Sequence, residues 1–522
     1  MSRKSYAFTH DLELRAAIVA TAAVLLSFGS GLLLENAAHL NVDAPLIAVV
    51  LALTLARTQR GADLRGRLIG LVVLPLIAVA ASEIGNLMLH HPNYGDTLFA
   101  LAVSLSIWLR RFGQRATKAG TLLALPFVAI LVTPIPMPPG HGATGWSAVI
   151  ALTAFVCVSV TQLAAQSLGF LREPVAFARR SESQRTTSVD NASSSSPPKP
   201  PVPPKPIKRV IPSTRMAVQM GLVLGVAFIV GRWGFTPRWT WTVITAFVVC
   251  SANRGRGDVV YKSLLRLAGA AGGTIVATLL ANLFGPHDNR SIVLIFVVLA
   301  VANWLRSFSY AYWAGCVTSV LALLQGYFGE VHLALLGTRL EEILVGTAIA
   351  IAVSWFVLPV RTTDVVRRRV GDALITLGDL LTALRDAPSD VAALESLGAR
   401  FTWNVDRVEQ VAAPLRAYRV AARRIRLMQR GRFGQLADAI DAVQRCAEPV
   451  QLLVRNANAP RDARPERSTK SLVEEIRRNI GTARDVLATY RSPSAHAPSQ
   501  LSPQPPSQSP PPHPEPAPVS AG

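Results

Sequence analysis

Two arginines stand at the head of apolar segments in the same local setting. Arg67 opens Arg67-Leu-Ile-Gly70, and Arg266 opens Arg266-Leu-Ala-Gly269. A guanidinium presents N–H donors in a planar fork that fits a carboxylate through two parallel hydrogen bonds. Beside a helix N-terminus, where backbone N–H groups are free and the macrodipole is positive, such an arginine favours an anion. Arg254 and Arg256, in Asn253-Arg-Gly-Arg-Gly257, offer the same chemistry just upstream. These four are candidate substrate-binding residues for a small organic anion. The plainer reading makes them anchors that fix topology at a membrane surface.

Proton coupling needs an ionisable group inside the apolar segments, where acids are costly and often functional. The candidates are Glu83, Glu341 and Glu342. Arg339 lies one helical turn before Glu342, within pairing distance along a helix. Glu83 has Asn282 as its counterpart when both are counted from the Arg-x-x-Gly motif. Against this, each acid could be an interfacial residue facing headgroups.

Enzyme chemistry finds no footing. No G-x-x-x-x-G-K-[ST] phosphate loop occurs, and the Gly269 to Gly273 cluster reads as close helix packing through small residues. H-E-x-x-H and G-x-S-x-G are also missing, so neither catalytic residues, cofactor nor metal is expected. His90 and His91 are adjacent in a loop. The four cysteines, Cys157, Cys250, Cys316 and Cys446, have no metal or redox spacing and read as buried thiols.

The elements that position these residues are apolar. Half of the 522 residues are hydrophobic, and the mean hydropathy is +0.34. The apolar residues gather in runs such as 16–34, 68–81, 146–160, 292–302 and 343–360. A bilayer core takes about 20 apolar residues per helix. Helices are expected near 15–34, 42–56, 68–89, 97–109, 118–134 and 146–171, then near 215–231, 239–252, 264–284, 291–306, 310–328 and 343–360. The second and fourth of each set are short. The expected fold is all-α, with about twelve transmembrane helices and a C-terminal cytoplasmic helical region. The first run is too long for a cleaved signal peptide.

The net charge of +21 lies between the runs, so it reports orientation rather than nucleic-acid binding. Arg57, Arg60, Arg65 and Arg67, then Arg110, Arg111, Arg115 and Lys118, follow alternate helices, whereas the intervening loops of the first half hold no Lys or Arg. By the positive-inside rule both termini are cytoplasmic and the chain is a multi-pass inner-membrane protein. A repeat with a period near 200 residues runs through the chain. Arg57-Thr-Gln-Arg-Gly61 answers Asn253-Arg-Gly-Arg-Gly257, and Trp108-Leu-Arg-Arg-Phe112 answers Trp304-Leu-Arg-Ser-Phe308. With six spans per half the two repeats are parallel. The expected domains are a first transmembrane repeat over 1–175, a flexible linker over 176–213, a second repeat over 214–361, cytoplasmic helices over 362–491, and a disordered Pro/Ser-rich tail over 492–522. Pro414 is expected to kink or break the long helix of the cytoplasmic region.

The second half carries a further pattern. Trp241-Thr-Val-Ile-Thr245 is followed by Arg254-Gly-Arg-Gly257, by Arg266-Leu-Ala-Gly-Ala-Ala-Gly-Gly273, and by Arg339, Glu342, Gly346 and Pro359. Over about 215–360 this resembles the fusaric acid resistance family, also described as aromatic acid exporters. Ala270 departs from it, standing where such proteins often have Thr. The resemblance implies efflux of aromatic or other small organic acids driven by the proton motive force. The partners it brings are the lipid bilayer, an organic anion substrate and, for some members, a periplasmic adaptor protein. A homo-oligomer is open. Two other readings remain at this point: a passive anion channel, and a membrane-anchored scaffold or sensor acting through the cytoplasmic helices.

Overall fold

The computed structural model describes residues 3–39, 43–59, 64–132, 143–170, 212–236, 238–251, 253–281, 288–327, 333–388, 390–424, 432–458 and 467–491. Every regular element among them is helical. The expected linker, apart from its last two residues, and the Pro/Ser-rich tail lie outside the described residues.

The first six helices are α1 (Arg3–Ala38), α2 (Asp43–Thr58), α3 (Leu64–His90), α4 (Pro92–Trp108), α5 (Gln114–Val132) and α6 (Ala143–Ser167). The next six are α7 (Pro212–Gly234), α8 (Thr240–Cys250), α9 (Arg256–Ala281), α10 (Asn289–Leu305), α11 (Tyr310–Tyr327) and α12 (Leu333–Phe356). Each expected helix overlaps one of these. Several begin earlier than hydropathy places them, most of all α1 at Arg3 rather than near 15, α12 at Leu333 rather than near 343, and α9 at Arg256 rather than near 264. In α1 and α9 a charged first turn belongs to the helix, and in α12 Arg339, Glu341 and Glu342 interrupt the apolar run within it.

Among the described residues, five helical segments are long and apolar enough to cross a membrane: Glu13–Ala38, Gly66–His90, Gly145–Ser167, Pro212–Gly234 and Arg256–Leu280. Shorter apolar helices cover Ala44–Thr58, Ala119–Val132, Thr240–Cys250 and Asn289–Leu305. Large apolar side chains such as Leu68, Val72 and Leu76 on α3, Ile275 and Leu279 on α9, and Val293 on α10 point outward. A soluble protein rarely shows apolar surface on this scale. In a membrane protein these side chains meet lipid.

Packing repeats along the chain. In the first set α1 packs on α2 and α6, α2 on α6, α3 on α5 and α6, and α4 on α5. In the second set α7 packs on α8 and α12, α8 on α12, α9 on α11 and α12, and α10 on α11. The two sets meet where α4 crosses α7 and where α1 crosses α10. An aromatic pair marks each crossing: Phe99 with Phe228 at 5.5 Å between centroids, and Phe28 with Phe296 at 4.8 Å.

Glycine lets α9 and α11 approach closely. A Cβ on Gly273 would collide with the Gly315 carbonyl, and Ser319 Oγ donates to the Gly273 carbonyl at 3.0 Å. Small residues let helix backbones touch, which supplies the van der Waals contact that lipid does not.

The chain continues as α13 (Thr362–Asp386), α14 (Val391–Arg424), α15 (Arg432–Arg445), α16 (Ala447–Ala457) and α17 (Thr469–Arg491). These amphipathic helices close a core of their own that includes Val370, Leu377, Phe401, Val408, Ile440 and Ile476. α14 runs on through Pro414, so the expected break does not occur. Within this core, burial pushes the Cys446 thiol up to about 12. Native Cys446 should therefore resist alkylation at pH 8 and react once the protein is unfolded. Its native pKa lies above the unfolded value near ~8.5, so this group's contribution to stability is complete below that value and declines as pH rises past it. Denaturant titrations at pH 7 and pH 10 check the sign.

Gly273→Ala should lower thermal stability in detergent by about 1–3 kcal/mol, the usual cost of overpacking. Gly272→Ala, whose added Cβ would meet nothing within 4 Å, should be close to neutral.

Candidate functional site

Arg254 and Arg256 sit at the junction between α9 and the C-terminal helices. Arg254 Nη1 donates to the Gln410 carbonyl of α14 at 3.1 Å, and its backbone N–H donates to Asp258 Oδ2 at 3.1 Å. Asp258 also pairs with Lys262 at 2.9 Å. Arg256 Nη2 donates to the Trp355 carbonyl at 3.1 Å. Its guanidinium carbon lies 5.3 Å from the Trp355 ring centroid. Between them, Gly255 holds a φ of +142° with the start of α13 against it, and a Cβ there would fall 2.9 Å from Thr362 Oγ1. Only glycine adopts that backbone cheaply. Gly257 N–H closes the junction by donating to Thr362 Oγ1 at 2.8 Å.

Arg67 and Arg266 are both buried. Arg67 is three residues past the first residue of α3, and its Nη1 donates to the Ser159 carbonyl on α6 at 3.2 Å. Arg266 is ten residues into α9, about 15 Å along the helix axis. It therefore lies three turns inside the element rather than at its mouth. Its Nε has no hydrogen-bond partner among the described residues.

The three acids separate. Glu83 and Glu341 are exposed, Glu83 on the same outward stripe of α3 as Val72 and Leu76. Glu342 is buried to 2% exposure, and its Oε2 has no partner among the described residues. Asn282, the counterpart of Glu83, lies outside the described residues.

Arg339 gathers the rest. It is buried beneath Trp241, with its guanidinium carbon 4.1 Å from the ring centroid. Its charge interacts with Glu342, Arg266 and Arg238. Its Nη1 has no partner among the described residues. The position follows from helical spacing, since Arg339, Glu342, Gly346 and Ala350 fall on one buried face of α12. That face meets α8, where Gly346 leaves room for Thr242 and Thr245; a Cβ there would lie 2.5 Å from the Thr242 carbonyl. Thr242, Thr245 and Thr347 are buried, and their hydroxyls are likewise unmatched among the described residues. The seam of α8, α9 and α12 thus brings together Arg266 and Glu342 of the expected residues. It leaves Arg67, Arg254, Arg256, Glu83 and Glu341 elsewhere.

One contact has no counterpart in the local sequence pattern. Arg232 on α7 forks onto Asp96 of α4, with Nε–Oδ2 at 2.5 Å and Nη2–Oδ1 at 2.7 Å, and Nη2 also donates to the Met88 carbonyl at 2.9 Å. Its guanidinium carbon lies 4.2 Å from the Trp239 centroid. This pair clamps the two helical sets together at the α4–α7 crossing.

Apolar helices long enough to span a bilayer, with charged groups buried between them, are the build of a membrane protein. Residues 222–353 match the family model described as "Fusaric acid resistance protein-like". No curated protein and no solved structure matches the chain. The matched segment begins within α7 and ends within α12, so it encloses the seam of α8, α9 and α12. Together, the match and the apolar helices point to a membrane transporter.

Asp96→Asn should destabilise the protein by about 3 kcal/mol, because the Arg232 charge then loses its partner in a partly buried site. Thermal unfolding in detergent reads the loss. The exchanged pair, Asp96→Arg with Arg232→Asp, should recover part of it.

Proposed function

We propose that the chain is an inner-membrane secondary exporter of small organic acids, aromatic acids among them, driven by the proton motive force. The observation that carries this reading is the family match over 222–353, which encloses buried arginines in otherwise apolar helices. Charge at such positions is costly and is retained where it serves transport.

Twelve spans in two parallel six-helix repeats are the architecture proposed for it. The recurrence of the same helix pairings in both sets supports this, as do the reciprocal crossings of α4 with α7 and α1 with α10. The spread of arginine and lysine along the sequence supports cytoplasmic termini, a cytoplasmic linker over 176–213 and a cytoplasmic bundle over 362–491. Arg67 and Arg266, with Arg254 and Arg256 nearer the junction, are the proposed anion-handling residues. Of the acids, Glu342 is the best placed for proton coupling, being buried among cations, whereas Glu83 and Glu341 are exposed. A periplasmic adaptor is the class of partner that the resemblance supports.

Inverted membrane vesicles containing the protein should accumulate radiolabelled benzoate when energised, and a protonophore should abolish the accumulation. Accumulation that survives the protonophore would sink proton-motive-force coupling. A current with no concentrative uptake would make the protein a passive anion channel.

A further inference from the structure

The seam between α8, α9 and α12 collects an unusual set of unmatched polar atoms. Arg266, Arg339 and Glu342 are 8%, 5% and 2% exposed, and each leaves a charged-group atom without a partner among the described residues. The hydroxyls of Thr242, Thr245 and Thr347 add three more. A buried donor or acceptor left unmatched costs about 1–3 kcal/mol, and more when charged. Six such groups in one seam are hard to reconcile with a purely structural interior.

The equivalent seam of the first set is filled differently. Where α2, α3 and α6 meet, the buried side chains are Leu51, Leu55, Leu74, Ala154, Phe155 and Val158. Neither Ala44–Thr58, before its terminal turn, nor α6 contains a charged residue. The polar groups near Arg67 turn in part to backbone: Arg67 Nη1 donates to the Ser159 carbonyl, and Gln162 Nε2 donates to the Ala56 carbonyl at 2.8 Å, while Gln59 Oε1, Ser159 Oγ and Gln162 Oε1 are unmatched among the described residues. What the second seam adds is charge, with two buried arginines and a buried glutamate against the one arginine here.

The geometry points to a single carboxylate-binding site inside the second helical set, built from Arg266, Arg339, Thr242 and Thr245 and matched to a monovalent anion. It rests on the exporter reading above and gives that reading a place. A carboxylate offers about four lone-pair positions. Guanidinium N–H groups from two helices and hydroxyls from a third are the donors that fill them. The charge also closes: two guanidiniums and the Glu342 carboxylate sum to one positive charge, which one monoanion neutralises. Exposed Arg238, whose charge also reaches Arg339, draws anions towards the seam. Trp241, stacked on Arg339, places a flat apolar wall beside the fork. On this view the repeat supplies two similar scaffolds, and the paired arginines with Glu342 mark the second as the carboxylate site.

The test uses the full-length protein in nanodiscs, with equilibrium dialysis of radiolabelled benzoate, lactate and succinate, and with counterflow in proteoliposomes. Monodisperse elution confirms folding of each variant. Arg339→Gln and Arg266→Gln should each weaken benzoate or lactate binding at least about tenfold, the scale of a lost charge-assisted fork. Arg339→Lys should restore part of it. Thr242→Val with Thr245→Val, which keeps side-chain volume, should weaken it by a few-fold. Arg290→Gln, which removes an exposed cation, should leave it unchanged. Glu342→Gln raises the buried charge to two, so the preference for succinate over benzoate should increase. Wild-type transport with binding indifferent to Arg266→Gln and Arg339→Gln would overturn this site and leave the exporter reading standing. A folded wild type that neither binds nor moves any of the three anions would overturn both.

Discussion

A charged side chain between apolar helices must find a partner, because no solvent is there to supply one. Most of the interior of this protein can be read as answers to that demand. Arg67 answers with the Ser159 carbonyl, Arg256 with the Trp355 carbonyl, and Arg232 with a carboxylate, a carbonyl and an indole face. Those arginines are spent on holding helices together. Arg266 and Arg339 are buried in one seam beside Glu342, and each has an N–H group unmatched among the described residues. The gathering of two guanidiniums and a carboxylate in one seam separates site from scaffold here.

α9 joins these two roles in one element. Its first turn is bonded to the C-terminal helices through Gly257, and the loop before it through Arg254. Ten residues on, it presents Arg266 to the seam, and one turn further its glycine face meets the α11 backbone. A helix fixed at its first turn, and held along its length by backbone-to-backbone contact, moves as a rigid rod.

The hydrophobic runs were legible in the sequence because lipid and helix impose the same length scale, and each expected helix overlaps an observed one. The starts of α9 and α12 were not legible. Asp258 and Lys262 interrupt the apolar signal while remaining helical, and an i,i+4 ion pair offsets their charge within the turn. Of the kink or break expected at Pro414, the break does not occur, since α14 continues through it. Lys262 and Asp258 show why hydropathy alone underestimates a helix whose charges satisfy one another.

The site was less legible, for a physical reason that differs from residue to residue. Arg266 and Glu342 stood out because charge in an apolar run is conspicuous wherever it falls. Arg339 was visible as a partner for Glu342, but hydropathy starts α12 after it, although the helix begins six residues before it. Thr242 and Thr245 stood only inside the Trp241 to Thr245 pattern, with nothing to give them a role of their own: a threonine in an apolar helix usually bonds back to its own carbonyls, as Thr54 does with Val50 and Leu51. Only their position against Gly346, on a helix nearly 100 residues away, sets them apart. The Asp96–Arg232 clamp depends on a crossing of two helices 136 residues apart, and no local pattern encodes it. Spacing along one helix can show which residues share a face, but the partner across that face is a property of the tertiary packing. The chemistry of this protein is decided there.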